Sequence, residues 1–263
     1  MSKIAINGEI NCLDPGGFGA VTITKSLTID CQEVFGSILP SGTNGITISF
    51  DLFNAQDTLK TVRLRNLKLN GVNAGLIGIR IIGGSTIVDG NFGGAARGIS
   101  EERTAVGKLF VSNTTVRNMG QTGIQLNPIS AAGAAVAGQR IDAVFDNVRV
   151  ENANFGIAIG NNVRATINRS VFSGNTRAGI EVEGPLAAAQ AHASNSVSSN
   201  NGTGVQNGGG TVTIRRFSND IVFNGTGFSG AAQSFNNNRV QGNDALGTAP
   251  TVIGSTSNPT GLQ

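Results

Sequence analysis

The chain has 263 residues, a net charge of +3 and a sequence pI near 9.2, with 13% charged residues and no Tyr or Trp. Such sparse, scattered Lys and Arg argue against a nucleic-acid binder, which needs a clustered basic face. No apolar run reaches the ~18 residues of a membrane span, and the start, MSKIAINGEI, lacks the apolar stretch of a signal peptide.

Gly is abundant, 38 of 263, and Asn is also frequent at 29. The chain is not disordered, because Ile, Val and Leu recur in register, and disorder requires low hydrophobicity. Residues 4–32 (IAINGEINCLDPGGFGAVTITKSLTIDCQ) read as short strands separated by turns, broken at Pro15-Gly16-Gly17. Ile10 and Cys12 recur as Ile29 and Cys31, 19 residues later. ITISFDLF, TVRLRNLKLNG and IGIRIIGGSTIVDG alternate as strands do. SEERTAV (100–106), with three adjacent charges, reads as a loop outside a turn, and PISAAGAAVAGQ (128–139) as an inserted loop.

From Ala143 to Val205 the pattern is clearest: a short alternating run, an Asn-rich turn, then Gly and a β-branched residue. The glycines are Gly156, Gly179 and Gly204, spaced 23 and 25 apart. The series extends forward to Gly227 and backward to Gly123, Gly98 and, more loosely, Gly78; only the step from Gly123 to Gly156, 33 residues, is long. Such a period means stacked repeats that bury their apolar faces on one another. Units this short, without helices, fit neither a propeller blade nor a leucine-rich repeat.

The expectation is an all-β right-handed parallel β-helix of about ten coils, roughly 48 Å long at ~4.8 Å per coil. A β-sandwich of repetitive strands is the alternative. We read a single domain over residues 1–263: an N-terminal edge (1–9), coils (10–243) and a C-terminal tail or cap (245–263). Lys3–Asn7 reads as a short edge strand. Inward positions should include Val148, Val150, Ile157, Ile159, Ile180 and Val182. Asn152, Asn175 and Asn200, each four residues before a repeat Gly, should stand at corners and stack as an asparagine ladder. Both solenoid ends lack a neighbouring coil, so end-to-end self-association is expected, the N-terminal face being the weaker.

At this point the sequence resembles the right-handed parallel β-helix proteins of the pectin-lyase-like superfamily. GEINCLDPGGFGAVTITKSLTIDC looks like the opening coil of a group of bacterial secreted β-helix proteins, most of them uncharacterised. The resemblance implies an extracellular or periplasmic natural protein. It also implies a signal peptide and a helical cap before this point; MSKIAIN in their place suggests a truncated or engineered start.

Enzymes of that superfamily need features that the sequence does not offer. A pectate-lyase Ca²⁺ site needs clustered acids, since Ca²⁺ takes 6–8 oxygens. Glu181 and Glu183 form the best pair, but the flanking coils offer Ala158/Gly160 and Gln206/Gly208, so we read a solvated pair. The Gly-His-Gly and Arg-x-Lys motifs of polygalacturonases are absent. Asp142 and Asp146 flank the strand IDAVFD and are not expected to converge, which leaves Asp142 with Glu151 as the pair for a hydrolase. His192, the lone histidine, reads as exposed without catalytic company. Cys12 and Cys31 are too few for a metal site; they are either a disulfide or stacked thiols. No catalytic residue, metal or cofactor is expected. Arg63, Arg65, Lys68, Arg117 and Arg149 read as a cationic face for a polyanion such as an acidic polysaccharide, against ordinary exposed charges. The favoured reading is a non-catalytic secreted structural or surface protein. The alternatives are a polysaccharide lyase or glycoside hydrolase and an acidic-glycan-binding module.

Overall fold

A computed structural model describes residues 3–32, 34–50, 54–128, 133–135 and 137–253. Among these there is no helix, and every paired strand runs parallel to its counterpart one coil away. The chain winds as a β-solenoid of about ten turns.

One column shows why. The residues after successive glycines, from Ile46 through Ile79, Ile99, Ile124, Ile157, Ile180 and Val205 to Phe228, are in register with one another, and Val21 and Gly247 continue the column at its two ends. The eight from Ile46 to Phe228 are at most 2% exposed. Burying a branched side chain contributes about 1.5–3 kcal/mol, so this column supplies much of the drive to wind. The six inward residues expected from sequence, Val148, Val150, Ile157, Ile159, Ile180 and Val182, are all buried.

Corners are made by left-handed residues. Asn118, Asn152, Gly174, Asn200, Phe223 and Gly242 all have positive φ at one corner, and Asn113, Asn147, Arg169, Asn195 and Ser218 at another. Asn tolerates this conformation because its short side chain bonds locally. One residue later lies a second asparagine column. Asn175 Nδ2 donates to Asn201 Oδ1 (2.9 Å), Asn201 Nδ2 to Asn224 Oδ1 (3.0 Å), and Asn224 Nδ2 to Asn243 Oδ1 (2.9 Å). Buried amides bonded in this way satisfy the turn's polar groups. The expected trio therefore divides: Asn152 and Asn200 are corner residues, whereas Asn175 is in the buried column.

The segment 100–106 is an outside loop only over 104–106, where Val106 is 67% exposed. Ser100 and Glu101 end the strand Ser85–Glu101, and Glu101 occupies an inward position between Ile81 and Leu126. Glu101 is 0% exposed and Arg103 1%. Arg103 pairs with the Glu101 carboxylate and also donates to the carbonyls of Gly84 and Lys108. The Gln139 amide, at the end of the inserted segment, donates to the Arg103 carbonyl. Much of the rest of that segment lies outside the described residues.

At the N-terminus, residues 3–7 form turns rather than a strand, and pairing starts at Gly8–Asn11. Cys12 and Cys31 lie on adjacent coils, Cα atoms 4.7 Å apart, and are joined as a disulfide. The C-terminal residues 245–253 continue the winding. Ala245–Gly247 and Thr251–Val252 pair with the preceding coil and remain exposed. Residues 254–263 lie outside the described set.

Candidate functional site

Outward residues decide function, and the structure disperses the five expected cations. Lys68 and Arg149 share a column but are separated by Asn91 and Thr115. Arg117 is in register with Gly93 and Glu151. Arg149 donates to Glu151 (2.7 Å), Arg65 lies 3.9 Å from Asp30, and Lys68 sits over the Phe35 ring (4.0 Å). Arg63 neighbours Thr28 and Ile87. No continuous basic face is formed by these five.

The other acids nominated from sequence are also engaged. Asp142 pairs with Arg140 (3.0 Å), and Asp146 pairs with Arg169 and accepts from Asn168 (3.1 Å). His192 is half-buried edge-on to Phe235, centroids 6.3 Å apart; burial and the Arg215 charge lower its pKa. No group of three potential metal ligands occurs among the described residues.

A cleft does form elsewhere. The residue after each repeat Ile points outward, giving a column of Arg80, Ser100, Gln125, Ala158, Glu181 and Gln206. Around its first three members lies a cleft of about 480 Å³, lined by Arg80, Arg97, Ser100, Glu102, Gln125 and Asn127 together with Ile82 and Thr104. A second, of about 420 Å³, shares Arg80, Arg97 and Glu102 and extends to Asn44 and Gln121.

Glu102 is fixed between two partners: Arg80 Nε donates to Oε2 (2.8 Å) and Ser100 Oγ to Oε1 (2.7 Å). Arg97 has no ionic partner among the described residues and borders both spaces. Gln125 Oε1 and Asn127 Oδ1 are buried acceptors that meet no donor. A buried polar atom without a partner is costly, and both side chains line the cleft. Sequence reading missed this set, although its signal was present: Arg80, Ser100 and Gln125 each follow a Gly-Ile step.

Two coils beyond Gln125, about 10 Å along the axis, is Glu181. It is 8% exposed, not solvated as expected. Burial, then the Glu183 charge, push its pKa up to about 7, while Arg177 opposes. A Cβ on Gly208 would lie 3.4 Å from Glu181 Oε1 and 3.5 Å from Glu183 Oε2, so both carboxyls gather about one point. Arg177 stacks over Phe155 at 4.7 Å.

No protein-family model matches this sequence, and no curated protein matches it significantly. Among solved structures, it is similar to the A-module of the Azotobacter vinelandii mannuronan C-5 epimerase AlgE6, with TM-score 0.54 and 13% identity over 94% of this chain and 90% of that one. It also matches the Geobacillus virus E2 protein ORF18 (TM-score 0.49, 12% identity, 94% of this chain, 55% of that one). The AlgE4 A-module of A. vinelandii follows at 0.47 and 12%, over 94% of this chain and 91% of that one. At such identities the likeness to the AlgE6 module is a likeness of fold, a β-helix.

Proposed function

We propose that this chain binds an acidic polysaccharide lengthwise along the outward column, with one uronate unit in the cleft beside Arg97. The carrying observation is the pairing of an arginine lacking an ionic partner with two buried, donor-less acceptors, Gln125 Oε1 and Asn127 Oδ1. A uronate brings what this set lacks: a carboxylate for Arg97, in the bidentate geometry a guanidinium favours, and hydroxyl donors for the two amide oxygens. Arg80 is held by Glu102, so its role is to position that carboxylate as a further hydroxyl acceptor. The AlgE6 module, from a mannuronan C-5 epimerase, lends this reading support at the level of fold. A secreted bacterial protein acting outside the cell is consistent with such a partner.

Calorimetric titration with oligomannuronate and oligogalacturonate tests it. Binding should weaken with salt, and Arg97→Ala should lose at least tenfold in affinity, about 1.4 kcal/mol. If neither oligomer binds, or Arg97→Ala binds as before, the proposal fails.

One observation favours a second, catalytic reading. Glu181 holds a proton near neutral pH beside Glu183, the asymmetry that acid–base pairs show. In that reading the chain is a polysaccharide hydrolase or lyase, and Glu181→Gln should abolish the release of reducing or unsaturated ends from a bound polymer.

A further inference from the structure

Arg216 occupies an inward position of the strand Thr203–Phe217 and is 0% exposed. Its Nε, Nη1 and Nη2 are all enclosed, and none meets a hydrogen-bond partner. The chain's other interior arginine shows what such a group requires: Arg103 has the Glu101 carboxylate and the Gly84 and Lys108 carbonyls. A guanidinium presents five N–H donors and keeps its charge at neutral pH. Unpaired in apolar surroundings, it would consume a large share of a domain's net stability.

No described carboxylate is placed to help. Asp220 is paired with Arg239 at the surface, and Glu181 belongs to the outward column that includes Gln206, on the coil side before this strand segment. The side chains that flank Arg216 in its column are small. Its inward column carries Phe145 and Ile167, then narrows to Ala193 directly before Arg216 and to Ser234 directly after it. The Ser234 hydroxyl oxygen already accepts from Asn236 N (3.0 Å) and Asn238 Nδ2 (2.9 Å). With its acceptor capacity used, its own proton is left to donate.

We propose that Arg216 and the Ser234 hydroxyl bind a small monovalent anion, chloride in kind, inside the solenoid between Ala193 and Ser234. One negative charge matches the single guanidinium; a dianion would leave a surplus charge buried. Burial lowers the Arg216 pKa to about 9, so the group still carries its charge at neutral pH and still calls for a counter-ion. The site is distinct from the cleft at Arg97, and neither depends on the other.

The test uses the full chain crystallised in sodium bromide. An anomalous peak beside the Arg216 guanidinium is expected. Thermal unfolding at constant ionic strength should show Tm about 3 °C higher in chloride or bromide than in gluconate, which is too large to enter. Arg216→Met should fold and lose that difference, and Ser234→Ala should reduce it. The proposal is overturned by absence of a bromide peak, by a Tm that ignores the anion, or by a halide effect surviving in Arg216→Met. A protein carboxylate found against the guanidinium would also overturn it. The bromide experiment decides the matter even should a variant fail to fold.

Discussion

The carbonyl oxygen of Gly156 stands 2.7 Å from the point where a Cβ on Gly123 would sit, one coil away. The same approach recurs from Gly78 to Gly98 (2.5 Å), Gly98 to Gly123 (2.5 Å) and Gly204 to Gly227 (2.8 Å). None of these glycines has a positive φ, so the requirement is space rather than backbone freedom. A methyl group at Gly123 forces the coils apart, and overpacking of this kind costs about 1–3 kcal/mol. Gly123→Ala should lose that much in urea unfolding. Gly19→Ala, with nothing within 4 Å, should lose almost nothing. Equal losses from the two would show that coil contact is not what selects glycine.

This contact explains why the fold was legible in the sequence. Close approach fixes Gly and burial fixes the next residue, so the pair repeats wherever the coil does. Outward residues answer to no such constraint, and their register passes through irregularities between Leu64 and Leu67 and between Val88 and Asn91. That is why Lys68, Arg117 and Arg149 looked equivalent in sequence and are not one column. Counting from the Gly-Ile step would have done better. It places Ser100 outward and Glu101 inward, in line with Leu126, but three adjacent charges in SEERTAV argued for a loop. A buried ion pair breaks the hydrophobic pattern by which inward positions are recognised. The unpartnered oxygens of Gln125 and Asn127 are a property of packing, with no signature in sequence at all.

The pair inside that segment makes its own prediction. Glu101 is buried with Arg103 as its charge partner, and burial pushes its pKa up against the opposing effect of Arg103. Removing one member of a buried pair leaves the other uncompensated, at about 3–5 kcal/mol. Glu101→Gln keeps the shape and should be that destabilising, whereas the double replacement Glu101→Leu with Arg103→Met should recover most of the loss. A double variant no more stable than Glu101→Gln would show that the pair is needed for more than its charge balance.

The two ends predict association. The N-terminal face holds a recess of about 570 Å³ lined by apolar groups including Ile10, Phe18, Val21 and Ile29, with Leu13 84% exposed beside it. The last described coil exposes Leu246 (51%) and Val252 (59%). Among the described residues the first and last coils each keep an unpaired parallel edge, and the two run in the same direction, so one chain's end would continue the other's ladder, and a head-to-tail contact of this kind leads to open filaments. Light scattering should rise with concentration, and Leu13→Lys should suppress the rise. A chain that remains monomeric at millimolar concentration would falsify this.

Glu181 predicts how stability varies with pH. Its pKa is raised to about 7 in the folded chain, by burial first and Glu183 second, from an ordinary value of 4.5. The folded state therefore holds the proton more tightly than the unfolded state. Between these two values the folded chain binds more protons, so stability falls as pH rises. The contribution is complete below about pH 4.5 and is lost on the way to about pH 7. Solvent and Arg177 lie close, so we expect a loss of about 1–2 kcal/mol rather than the full value of the shift. Glu181→Gln should remove this slope from a series of urea midpoints between pH 4 and 8. Glu183→Gln should only shift it to lower pH, because the repelling charge is gone while the burial stays. A Glu181→Gln chain that keeps the whole slope would mean that another group carries the proton.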